Sequence, residues 1–491
     1  MNAKTYVACD LGAESGRVIY GSLAKGTLDL EESYRFTTGP STVCGSLRWN
    51  ILRFFDEIKR GLSAVYTAHG QIDGLSVDAW ANDYAYFSKS DPLLALPFHY
   101  RDPRTDEAFP AFLSSAGRDL IFRETGIQFL PIQTLYQLFD DVIHRPKLQS
   151  VADVFLCIAD YFHFLLCGEV AAEKSSASTT QIFNPVTNRW SEALISKLGC
   201  PSRLFPQVVS SGTSLGQLDT RITDELGINR CEVFATCSHD TGAAVAAVPA
   251  SGSRWAFLSS GTWSLLGVEL DQPLINEKSL SANYTNELGF ENRVRFLKNI
   301  TGLWIFQEVR RELLQLGTEF DYARLTAEAA AATPRRSLIF PNDPQFLKPG
   351  GMIEKVKNFC GRTGQPVPET VGSLARCILE SLALSYAVQI SELKDRFGCA
   401  IDVLHIVGGG SKNRLLNQFT ANATGTLVTA GPTEATAIGN ILIQAVASGE
   451  LASGFDIREV VRRSFPIECF EPRDGSPWQE ALWIYQKLIE Q

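Results

Sequence analysis

The alternation of apolar and polar positions predicts an α/β chain in which strands end in polar turns. Apolar residues 6–9 precede a turn rich in glycine and small polar residues, and the strand pattern resumes at 18–22. This arrangement is typical of a β-hairpin. It recurs in mid-chain, where apolar segments 255–258 and 265–269 flank the polar segment 259–264. Two hairpins half a chain apart indicate a duplicated domain, since solenoid repeats span only about 20–50 residues.

The remaining periodic segments complete two α/β halves. Short apolar runs predict buried strands, and apolar residues at helical spacing predict helices. The strands are expected over 72–77 and 403–407, and the helices over 53–68, 373–397 and 412–422. Average domain size would allow about three domains in this length, and two large domains fit equally well. A loop near 249–252 divides the 491 residues into an N-terminal domain, 1–248, and a C-terminal domain, 249–491.

Composition narrows the choice of partners. The net charge is −9, which argues against nucleic acid and anionic membranes as partners. No apolar run reaches the roughly 18 residues that span a bilayer, and the N-terminus lacks the apolar core of a signal peptide. Eleven cysteines without a C-x-x-C pair, and six scattered histidines, predict free thiols in a reducing cytoplasm and no dedicated transition-metal site.

The two hairpin turns are candidate phosphate sites. Backbone N–H groups of a glycine-rich turn can bind an anion, and the first turn ends beside Arg17. Any tight hairpin also needs small polar residues, so each turn alone has a purely structural interpretation. Asp10 stands at the mouth of the first turn, where it is either an ordinary turn residue or a ligand of Mg²⁺, which prefers one or two carboxylates with phosphate oxygens. No P-loop motif is present.

Two further segments carry candidate chemistry. Asp240 precedes an alanine-rich helical segment, where it is an N-cap, a general base or both, because a helix N-terminus favours a charged carboxylate. The neighbouring His239, taken alone, is more often a packing residue. Residues 77–83 end a strand with an aromatic side chain and polar groups, which suits a carbohydrate as well as an ordinary polar loop.

Taken together, these motifs resemble the FGGY carbohydrate kinases. The resemblance rests on Asp10-x-Gly12 with the segments 15–17, 238–241, 259–263 and 408–411. It implies an α/β fold of two ribonuclease-H-like (actin-like ATPase) domains flanking a catalytic cleft. The N-terminal domain would bind sugar and carry the base, and the C-terminal domain would bind nucleotide. Segments 100–105, 126–131, 134–138 and 299–304 resemble the branch of the family that phosphorylates L-rhamnulose.

The resemblance assigns a role to each candidate residue. Asp240 is implied to be the catalytic base, and Asp10 is expected to hold Mg²⁺. The residues implied to contact ATP are Ala13, Glu14, Ser15, Gly16, Arg17, Thr262, Gln307 and Gly409. Those implied to contact the sugar are Ala81, His239, Asp240, Thr241 and Asn299.

The implied reaction is transfer of a phosphoryl group from ATP to the C1 hydroxyl of L-rhamnulose. The chain departs from this branch at Trp80-Ala81-Asn82-Asp83, where Trp-Gly-Val-Asp is typical, so kinases of L-fuculose or L-xylulose remain alternatives. One extra methyl-sized group in a pocket changes discrimination by about 1–3 kcal/mol. A non-enzymatic ATP-binding protein of the actin fold is a more remote alternative. We expect a cytoplasmic monomer or homodimer whose partners are ATP and a ketose.

Overall fold

The computed structural model describes residues 3–473 and 475–490, which form two compact units. The first unit contains the described residues up to Pro249 together with Glu269–Leu297 and Ala435–Ser464. The second contains Ala250–Val268, Lys298–Glu434 and the described residues from Phe465 onwards. Neither unit is continuous in sequence, because the chain enters the second unit at Ala250 and returns twice to the first.

Strands and helices alternate along both halves, as in a mixed α/β protein. The strands are β1 Lys4–Leu11, β2 Ser15–Ala24, β3 Thr27–Thr37, β4 Ser41–Val43, β5 Ser46–Arg48, β6 Gly74–Ala79, β7 Tyr84–Phe87, β8 Val154–Cys157, β9 Ala172–Glu173, β10 Phe183–Asn184, β11 Arg189–Trp190, β12 Val208–Val209, β13 Thr213–Gln217, β14 Glu232–Ala235, β15 Trp255–Ser260, β16 Trp263–Leu270, β17 Thr285–Leu288, β18 Val294–Thr301, β19 Val403–Val407, β20 Leu427–Ala430 and β21 Glu468–Phe470. The helices are α1 Ile51–His69, α2 Thr105–Ala116, α3 Arg118–Thr125, α4 Thr134–His144, α5 Pro146–Val151, α6 Ile158–Cys167, α7 Lys174–Thr179, α8 Glu192–Leu198, α9 Thr220–Leu226, α10 Asp240–Ala246, α11 Glu277–Ser281, α12 Trp304–Gln315, α13 Tyr322–Ala331, α14 Met352–Arg362, α15 Val371–Asp395, α16 Arg414–Thr424, α17 Ala435–Ala447, α18 Gly454–Ser464 and α19 Gly475–Ile489.

The main sheet of the first unit has the order β13-β14-β6-β1-β2-β3. The hairpin predicted at its centre is confirmed: β1 pairs antiparallel with β2, and on its other side β1 pairs parallel with β6. The strand predicted over 72–77 is β6, shifted by two residues. Because β14 is also parallel to β6, three neighbouring strands present their carboxyl ends at one edge of the sheet.

The second unit repeats this hairpin. Strand β15 pairs antiparallel with β16 and parallel with β19, and the sheet continues to β20 and β21. The predicted helices are confirmed as α1, α15 and α16 with small shifts at their ends. Helix α16 begins at Arg414 rather than Lys412, because a short 3₁₀ turn follows β19 and the side chain of Asn413 then caps the helix by accepting from Leu416 N.

Helix α15 is the core helix of the second unit. It is the one helix in the described residues that is long and apolar enough to cross a bilayer, and 83% of its most apolar window is buried inside the protein. Burial of this kind is typical of a core helix rather than a membrane span. All eleven cysteines are free thiols.

Helix α17 belongs to the first unit and supports the strands that carry the site. It packs against α10, β1 and β6. Its contact with α10 requires glycine, since a methyl group on Gly439 would overlap the Ala243 carbonyl. Farther along, Asn440 Nδ2 donates to Asp78 on β6 at 2.7 Å, and Gln444 Nε2 donates to the Val7 carbonyl at 3.0 Å. These two hydrogen bonds fix the position of α17 along β1 and β6.

Candidate active site

Three aspartates lie at the carboxyl ends of the parallel strands of the first unit. Asp10 is buried next to the last residue of β1 and is the register partner of Asp78 on β6. The loop after β14 joins them, because Ala79 bridges His239 and its N–H donates to the Ser238 carbonyl at 2.9 Å. Asp240 follows directly. In open α/β sheets this edge is where ligands bind.

Asp240 is the first residue of α10, not its N-cap. The cap position is His239, so the N-cap interpretation of Asp240 is wrong by one residue. The carboxylate still serves the helix start: its Oδ1 accepts from the N–H and, at 3.0 Å, from the hydroxyl of Thr241. Both donors reach the same oxygen, and the side chain remains 31% exposed. The other oxygen, Oδ2, is therefore available to a ligand.

The protein around Asp240 stabilises the protonated form of its carboxyl group, relative to the same group in water. Desolvation by the surrounding protein, and then the negative charge of Asp10, raise its pKa to about 7. Hydrogen bonds from Thr241 and the charge of Arg295 act in the opposite direction. A carboxylate poised near neutral pH can accept a proton more readily than an ordinary aspartate.

Asp78 is the most deeply buried member of the group. Burial and the charges of Asp10 and Asp240 raise its pKa well above the ordinary value, while Asn440 lowers it. Its Oδ2 is held by that amide, whereas Oδ1 is buried without a hydrogen-bond partner. The charges of Asp10 and Asp240 therefore favour the protonated form of Asp78.

Two further buried carboxylates hold the loop that carries Asp240. Glu173 accepts from the N–H of Ser238 at 3.0 Å and from Ser175, whose hydroxyl in turn accepts from His239 N at 3.0 Å. Asp160 accepts from the Ser238 hydroxyl at 2.8 Å. Burial raises the pKa of both carboxyls. The loop backbone is thus fixed on both sides before α10 begins.

The segment after β6 is organised around Asp83. Its carboxylate accepts from Trp49 Nε1 at 2.6 Å, Trp80 Nε1 at 3.0 Å and Gln137 Nε2 at 3.0 Å, and from the backbone N–H of residue 100 at 3.1 Å. The rings of Trp49 and Trp80 pack against each other at an interplanar angle of 33°, with centroids 4.1 Å apart. Burial raises the pKa of Asp83 to about 6, and these donors oppose the rise. A carboxylate occupied by four donors is a structural hub, not a second candidate base.

Ala81 and Asn82 form the turn between Trp80 and this hub. Asn82 has φ 77°, a left-handed conformation that asparagine tolerates better than a β-branched residue. Its backbone carbonyl accepts from Thr134 Oγ1 at 2.8 Å and Gln137 Nε2 at 3.2 Å, while its side-chain Oδ1 is buried without a hydrogen-bond partner. The turn is held by its backbone, and its side chains remain half-buried.

The turn between β1 and β2 carries the five predicted ATP residues of the first unit, Ala13 to Arg17. It is closed by a hydrogen bond from Gly12 N to the Ser15 carbonyl at 3.0 Å. Gly16 is required there because a side chain would overlap the ring of Phe36. Arg17 does not extend outward; its guanidinium is hydrogen-bonded to Asp10. Residues 12, 13 and 15 are half-buried, and Glu14 is exposed.

In the second unit, Thr262, Gln307 and Gly409 lie around the end of β15. The Thr262 carbonyl accepts from Trp304 N at 3.1 Å, so the turn abuts the start of α12, and Gln307 lies one turn into that helix with its Oε1 buried and unpartnered. Gly409 belongs to the 3₁₀ turn after β19, the parallel neighbour of β15. Asn299 lies on β18 in the same unit, half-buried.

Sequence reasoning missed three charged residues in this region: Asp78, Glu287 and Arg295. Asp78 interrupts a buried strand, and that interruption is the signal that could have identified it. Glu287 and Arg295 are register partners on the hairpin β17–β18, with Arg295 completely buried. Nothing in their local sequence indicates that they reach the loop of Asp240, more than 40 residues earlier, where Arg295 Nη2 lies 3.2 Å from His239 Nδ1.

Comparison with known proteins identifies the chain's family. Residues 5–247 match the N-terminal domain, and residues 256–448 the C-terminal domain, of the FGGY family of carbohydrate kinases. A rhamnulokinase of Bacteroides thetaiotaomicron is 40% identical over 99% of both chains, and a rhamnulokinase of Bacillus subtilis is 39% identical over 96% of both.

Solved structures show the same fold at low identity. A gluconate kinase from Lactobacillus acidophilus aligns with a TM-score of 0.82 at 17% identity, over 100% of this chain and 98% of its own. A Plasmodium falciparum glycerol kinase with ADP gives 0.78 at 13%, with the same coverage. The predicted actin-like ATPase fold is confirmed. The sheets of the two units, the aspartates at the strand ends of the first and the full-length similarity lead to one conclusion: the chain belongs to the FGGY family of carbohydrate kinases.

Proposed function

We propose that this kinase transfers the γ-phosphoryl group of ATP to the C1 hydroxyl of L-rhamnulose, giving L-rhamnulose 1-phosphate and ADP. Its relatives named rhamnulokinase match it from end to end at 39–40% identity, which supports this substrate. The observation that carries the proposed chemistry is the carboxylate of Asp240, which has a raised pKa and one oxygen free of protein donors.

Asp240 acts as the general base. Phosphoryl transfer has a loose transition state, so the residue must chiefly orient the hydroxyl and accept its proton as the bond to phosphorus forms. Thr241 occupies Oδ1, which leaves Oδ2 to receive the proton. Because the pKa of the group is about 7 in the free protein, it accepts that proton more favourably than an exposed aspartate would.

The sugar contacts are assigned to Ala81, His239, Thr241 and Asn299. Of these, His239 and Thr241 flank the base, and Ala81 lies on the turn fixed by the hub at Asp83. The burial of this hub supports a rigid sugar pocket, since rigid surroundings hold a reacting hydroxyl in the geometry of attack.

The ATP contacts are assigned to the turn 13–17 of the first unit and to Thr262, Gln307 and Gly409 of the second. The first turn is half-buried to exposed, and the N–H groups of such a glycine-rich turn suit phosphate oxygens. In the second unit, Gly409 borders open space, which allows a flat base or sugar to approach the backbone. The unpartnered Oε1 of Gln307 is an acceptor available to a nucleotide.

Mg²⁺ is expected with ATP, and the donor set fits it. No three His, Cys, Asp or Glu side chains among the residues that the structure describes form a complete metal cage. Mg²⁺ needs only one or two carboxylates, because phosphates and water supply its other ligands. Asp10 would hold it, beside the unpartnered Oδ1 of Asp78. When bound, the ion would neutralise part of the negative charge of the phosphates.

A coupled assay of ADP release tests the reaction. The protein is mixed with ATP and Mg²⁺ and supplied in turn with L-rhamnulose, L-fuculose, L-xylulose or no sugar. We expect the highest kcat/KM with L-rhamnulose, loss of activity with chelator and recovery with Mg²⁺. A clear preference for another ketose would overturn the substrate while leaving the reaction type intact, and sugar-independent ADP release alone would overturn both.

The turn at Ala81 and Asn82 decides between the ketoses. The double substitution Ala81→Gly with Asn82→Val restores the typical sequence of the L-rhamnulose branch at this turn. If the turn lines the sugar pocket, it changes kcat/KM among ketoses by up to about 10–200-fold and leaves the KM for ATP nearly unchanged. Equal effects on all sugars would place the turn outside the pocket.

We also propose that the enzyme works in the cytoplasm as a monomer or homodimer. The eleven free thiols suit a reducing compartment. Sedimentation of the purified protein measures the oligomeric state, and a filament that pellets with ATP would contradict the proposal.

A further inference from the structure

We propose that Arg295 is a positioning residue that holds His239 as the neutral tautomer protonated at Nε2, with its N–H beside the base Asp240. The inference rests on the proposed role of Asp240 as base. All four participants, including Glu287, belong to the first unit.

The contact between Arg295 and His239 determines the tautomer. Arg295 is completely buried, and its guanidinium is fixed by donating to the Leu288 carbonyl from Nη2 at 2.9 Å and from Nε at 3.3 Å. The same Nη2 lies 3.2 Å from His239 Nδ1. A guanidinium has donors and no acceptor, so Nδ1 must present its lone pair and the ring proton must lie on Nε2.

The proton on Nε2 faces the catalytic carboxylate. Nε2 lies 3.3 Å from Asp240 Oδ1, the oxygen that already accepts from the N–H and hydroxyl of Thr241. A third N–H close to this oxygen stabilises its negative charge and leaves Oδ2 as the proton acceptor. With the opposite tautomer, Nε2 would present a lone pair to the carboxylate, and the two would repel each other.

Glu287 could stabilise the opposite tautomer of His239, which is protonated at Nδ1. Its Oε2 lies 3.2 Å from Arg295 Nη1 and 3.5 Å from His239 Nδ1, so it could accept from a protonated Nδ1. The carboxylate also offsets the cost of burying the guanidinium, since an unpaired buried charge is strongly destabilising. Arg295 is the nearer of the two to Nδ1, which favours the proton on Nε2. Burial and the charge of Arg295 also lower the pKa of His239 well below its ordinary value, so the ring stays neutral.

Nitrogen NMR of the ¹⁵N-labelled, ligand-free full-length protein measures the tautomer directly. The chain has six histidines, and His239→Gln identifies the signals of the ring in question. We expect a neutral ring with the proton on Nε2 at neutral pH. A ring protonated on Nδ1, or on both nitrogens, overturns the proposal. The measurement needs no turnover, so it succeeds or fails independently of whether Asp240 is the base.

Kinetics of Arg295 variants measure the consequence. Loss of a hydrogen bond to a charged group is worth about 1.5–3 kcal/mol, so Arg295→Met should lower kcat by about 10–150-fold with an unchanged KM for ATP. Arg295→Lys retains charge and a donor and should recover part of the loss. Arg293→Met is the matched control: this arginine lies on the same hairpin, is 39% exposed and pairs with Asp271, so wild-type kcat is expected.

A double variant that removes both buried charges distinguishes a folding defect from a positioning defect. Arg295→Met leaves the buried charge of Glu287 without its arginine, whereas the double substitution with Glu287→Gln removes both charges and should fold. The proposal holds if the double variant melts near the wild type, keeps its KM for ATP and still loses kcat. It is overturned if the folded double variant has the kcat of the Arg293→Met control.

Discussion

The two hairpins share a scaffold and differ in chemistry. In each unit an antiparallel hairpin lies beside a parallel strand: β1–β2 beside β6, and β15–β16 beside β19. In the first hairpin Leu11 and Gly16 close the turn, and the charged register partners Asp10 and Arg17 lie one pair before it; the second turn is closed by Ser260 and Ser264. One scaffold therefore carries charges, and the other carries hydroxyl groups.

The neighbouring parallel strands extend the contrast. Strand β6 places the buried carboxylate of Asp78 beside Asp10, while β19 runs into glycines that pack against Ser260. Charge at a strand end shifts the pKa of a neighbouring base, whereas glycine and hydroxyl groups let a ligand approach the backbone. The comparison teaches that the proposed restriction of base and metal to the first unit, while both units contact ATP, depends on the side chains near the ends of corresponding strands.

The largest expected effect comes from removing the charge of the base. Asp240→Asn keeps an acceptor for Thr241 at the start of α10, so the melting temperature should change little. The proton acceptor is lost, and kcat should fall by about 10²–10⁴-fold with nearly unchanged ATP binding. Asp219→Asn is the control, because it makes the same change at the start of α9. If kcat stays within a few-fold of wild type, Asp240 is not the base and only stabilises the start of α10.

The glycines of the second unit offer a matched pair. A methyl group on Gly410 would overlap the Ser260 hydroxyl, whereas the same group on Gly409 meets nothing within 4 Å. We expect Gly410→Ala to lower the free energy of unfolding by about 1–3 kcal/mol. Gly409→Ala should leave stability intact and raise the KM for ATP without changing that for sugar. Denaturant unfolding and the two KM values separate these effects, and equal stabilities would contradict the packing argument.

A smaller effect is expected on the pH profile of the first unit. The base must be deprotonated, so kcat/KM for the sugar should rise with pH through the pKa of Asp240, about 7 in the free protein. The negative charge of Asp10 raises that pKa, so Asp10→Asn should move the acid limb to lower pH. It should also raise the Mg²⁺ requirement. Asp56→Asn removes a 63% exposed charge and serves as control. If the acid limb of the pH profile does not move in Asp10→Asn, the charge of Asp10 does not affect the pKa of the base.

The smallest effect concerns the hydroxyl of the second turn. Thr262→Ala removes one neutral hydrogen bond to ATP, worth about 0.5–1.5 kcal/mol, so the KM for ATP should rise by no more than about tenfold. Thr262→Ser should behave as wild type. The KM for sugar should not change in either variant. If both substitutions are silent in an ATP titration, the second turn contacts ATP through its backbone alone.

Sequence pattern predicted the hairpins because alternation and turn chemistry are local. The strand β6 and helices α1, α15 and α16 followed from periodicity in the same way. The predicted N-cap of α10 was wrong by one residue. Asp240 is the first helical residue, and its carboxylate accepts from the N–H of Thr241 much as an N-cap side chain accepts from the helix start.

The supporting network of the site was beyond such reasoning. Asp78 and its partner Asn440 are 362 residues apart, and Arg295 reaches His239 from 56 residues away. Pairs of this kind depend on how strands and helices pack, which no local pattern encodes. The return of the chain to the first unit was equally hidden, because residues 435–464 belong with the beginning of the chain.

The position of helix α17 has a consequence for synthesis on the ribosome. The helix packs on β1 and β6 through Asn440 and Gln444, yet its residues emerge only after most of the second unit has been translated. At about 5–20 residues per second, the first strands wait many seconds for their covering helix. Until then β1 and β6 lack one of their faces and Asp78 lacks its amide donor. The nascent N-terminal half therefore exposes the uncovered face of β1 and β6, to which chaperones can bind. A fragment ending at Pro249 should be insoluble when expressed alone.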